Sequence, residues 1–366
     1  MNINKWTVAL AAAGVVSFAS VSNAQEAKET VKTLAASTTL SGYVSTSVNW
    51  TPGNKTGVQT YFANSDKTDR IALDVISLTL ASKAGEGEWA AGYKATLWAG
   101  PDALALNTSS GTEGDVAIKN AYISLRAPLG TGVDLKMGVF DTIIGYEGTD
   151  RNTNPFYSHS WGFSVEPTQH TGLLASYRVS DSISLSVGIA NTTDAVINGA
   201  ATNTQRKTYM AAATLTAPES FGFLKGTSVT AGWVGGRANG LATTVDSLYV
   251  GGTIPLPIKD LSLGLAWDNK TIDGASDTSV IAAYLSYKVS DKLTAAARVE
   301  YLDVGNATVG ATVVGSEALS TTIGLDYKLW ANVISRLEYR LDTSADSEVN
   351  GRKHNSAVIA NVIYNF

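Results

Sequence analysis

From Leu40 onward, apolar residues recur at every second position. Leu40, Gly42, Val44, Thr46, Val48 and Trp50 alternate with Ser41, Tyr43, Ser45, Ser47 and Asn49. Successive side chains of a β-strand point to opposite faces, so this segment reads as a strand with one apolar and one polar side. Similar runs place strands at 38–50, 70–82, 87–99, 115–127, 132–141, 168–179, 182–192 and 206–217. Eight more follow at 227–236, 245–255, 260–269, 277–289, 291–303, 315–329, 331–342 and 352–366. Parity is mixed in the second, fourth and tenth runs: Leu73 and Val75 share one face, but Ile76, Leu78 and Leu80 share the other. The reading is about 16 strands, with 14 to 18 compatible with the pattern.

The connections alternate as well. Short ones, such as 83–86, 128–131, 180–181 and 256–259, take turns with long ones rich in Gly, Asn, Thr and Asp. The longest is the third long connection, 142–167. Long loops gathered at one end, short turns at the other and an even strand count are the signature of an outer-membrane barrel. The expected fold class is therefore all-β, a transmembrane antiparallel up-and-down β-barrel over 38–366. A closed sheet satisfies its own backbone groups, as hydrocarbon demands. Aromatics near strand ends, among them Trp50, Trp89, Trp98, Tyr157, Trp161, Tyr301, Trp330 and Tyr364, fit interfacial girdles.

Residues 1–24 carry one charge at Lys5, a short apolar run and a terminal Val21-Ser22-Asn23-Ala24, the pattern of a signal peptide cut after Ala24. Residues 25–37 read as a polar periplasmic lead-in. At the other end Val362, Tyr364 and Phe366 share one face, and a terminal Phe on an alternating strand resembles the signal read by the barrel assembly machinery. Tyr364 and Phe366 are the candidate assembly signal.

Composition narrows the function. The 366 residues contain no Cys, which excludes disulfide scaffolds, thiolate metal sites and thiol catalysis. Formal charge is −5, so nucleic acid is not an expected partner. Ser158-His159 adjacency makes no catalytic triad, and Asp150, Asn152 and Asn154 lack the Gly and final Glu of a calcium loop. No enzyme activity, cofactor or metal is expected.

Gly138-Val139-Phe140-Asp141-Thr142-Ile143-Ile144-Gly145-Tyr146-Glu147 is followed by Asn154-Pro155-Phe156-Tyr157-Ser158-His159-Ser160 and by Pro167-Thr168-Gln169-His170-Thr171-Gly172. These blocks resemble the OmpL-like outer-membrane β-barrel porin family, over about 35 residues of specific motif. The resemblance implies a channel for small hydrophilic solutes.

Strand parity puts Lys94, Asp134, Lys136, Arg178, Arg298, Glu300, Asp326, Arg336, Glu338 and Arg340 on the inner face, since Arg or Lys facing lipid at midplane costs about 2–4 kcal/mol. They are the candidate pore-lining and selectivity residues, with pairing across adjacent strands as the structural alternative. Lys67 reads as an outer-loop residue remote from the lumen. In 142–167, Tyr146, Glu147, Asp150, Arg151, Tyr157 and His159 are candidates for a constriction, if the loop folds inward rather than capping the mouth. The leading function is a passive outer-membrane porin for small hydrophilic solutes and ions, slightly anion-selective, embedded in outer-membrane lipid and a homotrimer by analogy with general porins. The alternative is a structural or adhesive barrel with a blocked lumen.

Overall fold

In the computed structural model, the described residues are 38–52, 67–85, 89–106, 108, 115–202, 206–275, 277–304, 307–309, 312–314, 317–344 and 353–366. The signal peptide and lead-in expectations lie outside them. The barrel begins with β1 (Thr38–Trp50), β2 (Arg70–Ser82), β3 (Ala90–Ala99), β4 (Val116–Ala127) and β5 (Val133–Asp141). It continues with β6 (Gln169–Arg178), β7 (Ile183–Ala190), β8 (Thr208–Thr216), β9 (Ser228–Arg237) and β10 (Thr244–Pro255). Next come β11 (Leu261–Ile272), β12 (Thr278–Lys288) and β13 (Leu293–Val304). A two-stranded hairpin, β14 (Ala307–Val309) with β15 (Thr312–Val314), stands apart from the barrel in a stretch read from sequence as plain loop. Finally β16 (Glu317–Trp330), β17 (Val333–Ser344) and β18 (His354–Asn365) return to β1. Each barrel strand pairs antiparallel with its chain neighbours, and β18 closes on β1 through Val44 opposite Tyr364 and Val48 opposite Ala360.

Sixteen strands close the wall, so the expected fold class holds. The outward face is apolar: Leu173, Leu185, Val187, Leu265, Ile281, Ile323, Leu325 and Leu337 are all exposed on it. Trp89, Tyr287, Tyr327 and Tyr364 sit outward near the short-turn end, and Trp50, Tyr209 and Tyr301 near the long-loop end. Trp98, Tyr157 and Trp161 depart from the girdle expectation. All three are buried inside, because Trp98 has inward parity and the other two belong to the inward-folded loop.

The mixed parity of β2 and β4 has a physical cause. Between β1 and β2 the register shifts so that Ser45 faces Val75 and Thr46 faces Leu73, which leaves Asp74 as an extra residue. Between β3 and β4 the same happens at Lys119. A β-bulge inserts one residue and turns the following side chains to the other face. Each bulge places a charged side chain, Asp74 or Lys119, wholly inside the barrel.

Candidate functional site

The connection between β5 and β6 folds into the barrel. Its ends are drawn together, with Thr142 N–H donating to Thr168 O at 2.9 Å. Gly145 has φ +112, a conformation for which glycine is suited, and a Cβ there would run into the Glu166 carboxylate. Within the segment, Gly148 N–H donates to Asn154 Oδ1 at 2.9 Å, and the short helix Trp161–Val165 is capped by Ser160, whose hydroxyl accepts from Phe163 N–H at 3.0 Å. These bonds lie within the segment itself and shape it independently of the wall's side chains.

One side of the wall grips it with charge. Arg298 donates to Glu147 Oε1 at 2.7 Å, to Ser158 O at 2.9 Å and to Thr322 Oγ1 at 3.1 Å, while its Nε lies 2.7 Å from Glu300 Oε2. Arg340 donates to His159 O at 2.8 Å and to Asp342 at 2.8 Å. Arg336 donates to Asn154 O at 2.7 Å and pairs with Asp326 at 2.6 Å. Glu338 accepts from Tyr157 N–H at 2.6 Å and also from the Ser158 hydroxyl, and Glu300 accepts from Trp161 N–H at 2.5 Å. Alternation along β13 and β17 aims these side chains at one line of loop backbone. Beside them Arg151 makes two bonds to Asp102 and one to Tyr157 O at 3.0 Å, and Lys67 pairs with both Asp102 and Asp74. Lys67 therefore is not a remote loop residue; it is buried among carboxylates.

On the other side the contact is apolar. Ile144 and Phe156 pack with Phe140, Leu174, Met210, Val234, Tyr249 and Tyr284. Tyr146 stacks on Tyr284 with ring centroids 4.2 Å apart, and its hydroxyl lies 3.1 Å from Thr253 Oγ1. The glycine of the wall at 232 leaves room for Ile144.

Among the shifted groups of the segment are a histidine and a carboxylic acid. Burial, with Arg151, Arg298 and Arg336 nearby, holds the His159 ring well below its usual range, so it is neutral. Burial and the neighbouring carboxyls of Asp268 and Glu147 push Glu166 well above the ordinary carboxylate range.

A cavity of about 500 Å³ remains between the segment and the wall, lined by β3 to β5 on one flank and β9 to β12 on the other. Of the residues expected inside, Lys94, Lys136, Tyr146, Glu147 and Asp150 line it. Arg298, Glu300, Arg336, Glu338 and Arg340 are at most 3% exposed and lie beneath the segment, so they meet its backbone rather than the cavity. Asp134 pairs with Arg126 at 3.1 Å and Arg178 with Asp181, both close to the short-turn rim. Asp150 pairs with Lys119 at 3.0 Å, whereas Asn152 donates to Asn365 and Asn154 closes the loop, so the DRNTN side chains diverge. Among the described residues no three His, Cys, Asp or Glu side chains gather as a metal site. Phe366 and Gly42 exchange backbone bonds of 3.0 and 2.9 Å at the seam, and the Phe366 and Tyr364 rings lie 6.5 Å apart outside it. Sequence reasoning passed over Asp74, Asp102, Lys119 and the Glu166–Asp268 pair; a charged residue at each parity break was the available signal for Asp74 and Lys119.

Solved structures share this architecture. The trimer form of OmpT, an outer membrane protein of Vibrio cholerae, superimposes with TM-score 0.60 at 13% identity, over 90% of this chain and 99% of that one. The outer membrane channel DcaP of Acinetobacter baumannii gives 0.58 at 12% identity, over 90% and 97%. A mutant of the Rh. blastica porin gives 0.54 at 14%, over 90% and 100%. No curated protein sequence matches the chain. The family described as "Putative beta-barrel porin-2, OmpL-like" matches residues 37–366. The chain is thus a member of that OmpL-like family of outer-membrane β-barrel porins.

Proposed function

We propose that this porin is a passive aqueous channel for small hydrophilic solutes and ions, narrowed by the segment 142–168. The observation that carries the reading is the cavity of about 500 Å³ left beside an inward-folded segment in a closed wall of sixteen strands. Barrels of this size are wide enough for water-filled passage, unlike those of eight strands. Channel and porin structures of the same architecture, and the family itself, support it. The reading is of a conduit without catalysis.

Single-channel recording in a planar bilayer tests it. Steady conductance is expected, and replacing residues 146–163 by a short linker should raise it several-fold. Unchanged conductance in a folded deletion variant would move the constriction elsewhere. A silent wild-type protein would favour the structural or adhesive barrel instead. The trimer form of a structurally similar barrel supports a homotrimer, for which cross-linking in native membranes is the readout. Export with cleavage after Ala24, and recognition of Tyr364 and Phe366 by the assembly machinery, complete the proposal. Deleting Phe366 should lower the amount inserted without altering the pores that do form.

A further inference from the structure

We propose that the cavity holds a binding site for small oxyanions, carrying carboxylate or phosphate, between the ammonium groups of Lys94 and Lys136. The proposal rests on the channel reading for how a solute arrives. Lys94 of β3 stands opposite Tyr122 of β4, and Lys136 of β5 stands opposite Ser124, two residues along the same inner face. The two lysines thus flank the Tyr122 ring, with Lys136 Nζ 5.2 Å from its centroid. Both line the cavity.

Neither makes a close ion pair among the described residues, and the nearest acids, Asp141, Asp150 and Asp134, act on them only from farther off. Among the described residues, neither has a carboxylate within 4.0 Å, whereas Lys67, Lys119, Arg151, Arg298, Arg336 and Arg340 each have one. The acids that share the cavity make their close ion pairs and hydrogen bonds with other groups. Asp141 and Asp150 lie 2.9 and 3.0 Å from Lys119. Glu147 takes Arg298 at 2.7 Å and the Tyr284 hydroxyl at 3.0 Å. Glu166 lies against Asp268.

Two like charges on strands separated only by β4 repel, and low-dielectric walls strengthen that field. A bound oxyanion removes the repulsion and accepts charge-assisted hydrogen bonds from both ammonium groups. The far flank is lined by Ser228, Ser262 and Ser286, a hydroxylated surface that suits the solute's hydration water. A cavity of about 500 Å³ admits such a solute with part of its hydration shell.

The test uses the full protein in a planar bilayer with potassium chloride, adding inorganic phosphate in one arm and succinate in the other. A saturable reduction of chloride current is expected, and the arm acting at lower concentration names the oxyanion. The K94Q/K136Q double variant should raise the blocking concentration at least tenfold and shift the reversal potential toward cations, while Lys225→Gln, at an exposed turn, leaves both unchanged. Block that does not saturate, or is equal in the double variant, overturns the site while leaving the channel intact. If the wild type conducts nothing, the channel reading falls, and phosphorus NMR of phosphate with the protein in micelles decides the site separately. Line broadening lost in K94Q/K136Q supports it, and no broadening in the wild type overturns it.

Discussion

The same inward segment is fastened to opposite sides of the barrel by unlike chemistry. Along β13, β16 and β17 it meets arginines and carboxylates that bond to successive backbone groups from Asn154 to Trp161. Along β5 to β12 it meets Phe140, Leu174, Met210, Val234 and Tyr249 with little directional bonding. The polar side fixes position, because each guanidinium or carboxylate is satisfied only by one arrangement of donors and acceptors. The apolar side supplies burial that tolerates small shifts. A buried ion pair adds little over an apolar replacement of its shape, yet breaking one partner is costly. The polar side is therefore where single substitutions should hurt most.

The largest expected effect follows from Arg298→Ala. It takes from Glu147 its guanidinium partner, leaves Glu300 only the more distant Arg340 guanidinium at 3.7 Å, and removes bonds to Ser158. Breaking a buried pair in this way costs about 3–5 kcal/mol. That cost falls on docking of the segment rather than on the wall, whose strand pairing is untouched. Conductance should become noisy and larger, and added protease should cut within 146–161 in assembled protein. Quiet wild-type current in a folded R298A variant would show that the apolar side alone suffices.

A second effect comes from pH. Glu166 lies at the segment's closing end, facing Asp268 on β11 and Glu147 on the segment, with Tyr249 of β10 nearby. Its carboxyl is raised by burial first and by Asp268 next, so the docked segment binds a proton that the undocked one releases. Docking from this group is full below the ordinary carboxylate value of about 4.3 and is lost as pH rises through the raised value. One group titrating over two pH units contributes at most about 2.7 kcal/mol, by the conversion of 1.36 per unit. Current noise should therefore fall as pH is lowered from 7 to 5, and Glu166→Gln should flatten the dependence. The same slope in E166Q would assign it to another group.

Most of the wall was legible in the sequence because lipid outside and water inside force a period of two. All sixteen barrel strands fall within about three residues of the expected bounds at either end. The breaks in parity of the second and fourth runs were visible too, though not that they are bulges admitting Asp74 and Lys119, and the mixed parity read in the tenth run corresponds to no register shift. What Arg298, Arg336, Arg340, Glu300 and Glu338 face was not legible. Parity puts them inside, but their partners lie roughly 140 to 185 residues away on a loop whose fold no periodicity encodes. Lys67 was misread for the same reason, since its carboxylates sit on a bulge and on the short helix Pro101–Leu106. Lys94 and Lys136 were placed by parity alone, which required no knowledge of the loop.

The smallest expected effect probes the apolar side. Ile144 is buried against the wall, and the absence of a side chain at Gly232 is what admits it. Ile144→Val deletes one methylene there, a change that typically costs about 0.5–1.5 kcal/mol. No polar group loses a partner, and the arginine contacts from Asn154 to Trp161 remain to hold the register. Docking should weaken slightly without any change of position. Mean conductance should match the wild type, with only a modest rise in noise, well below that of R298A. Combined with R298A, the loss should exceed the sum of the two alone, because each side limits how far the segment can move when the other is weakened. A strictly additive double variant would mean that the two sides hold independent parts of the segment. The rigid cap and turn between Asn154 and Ser160 would then not transmit force from one side to the other.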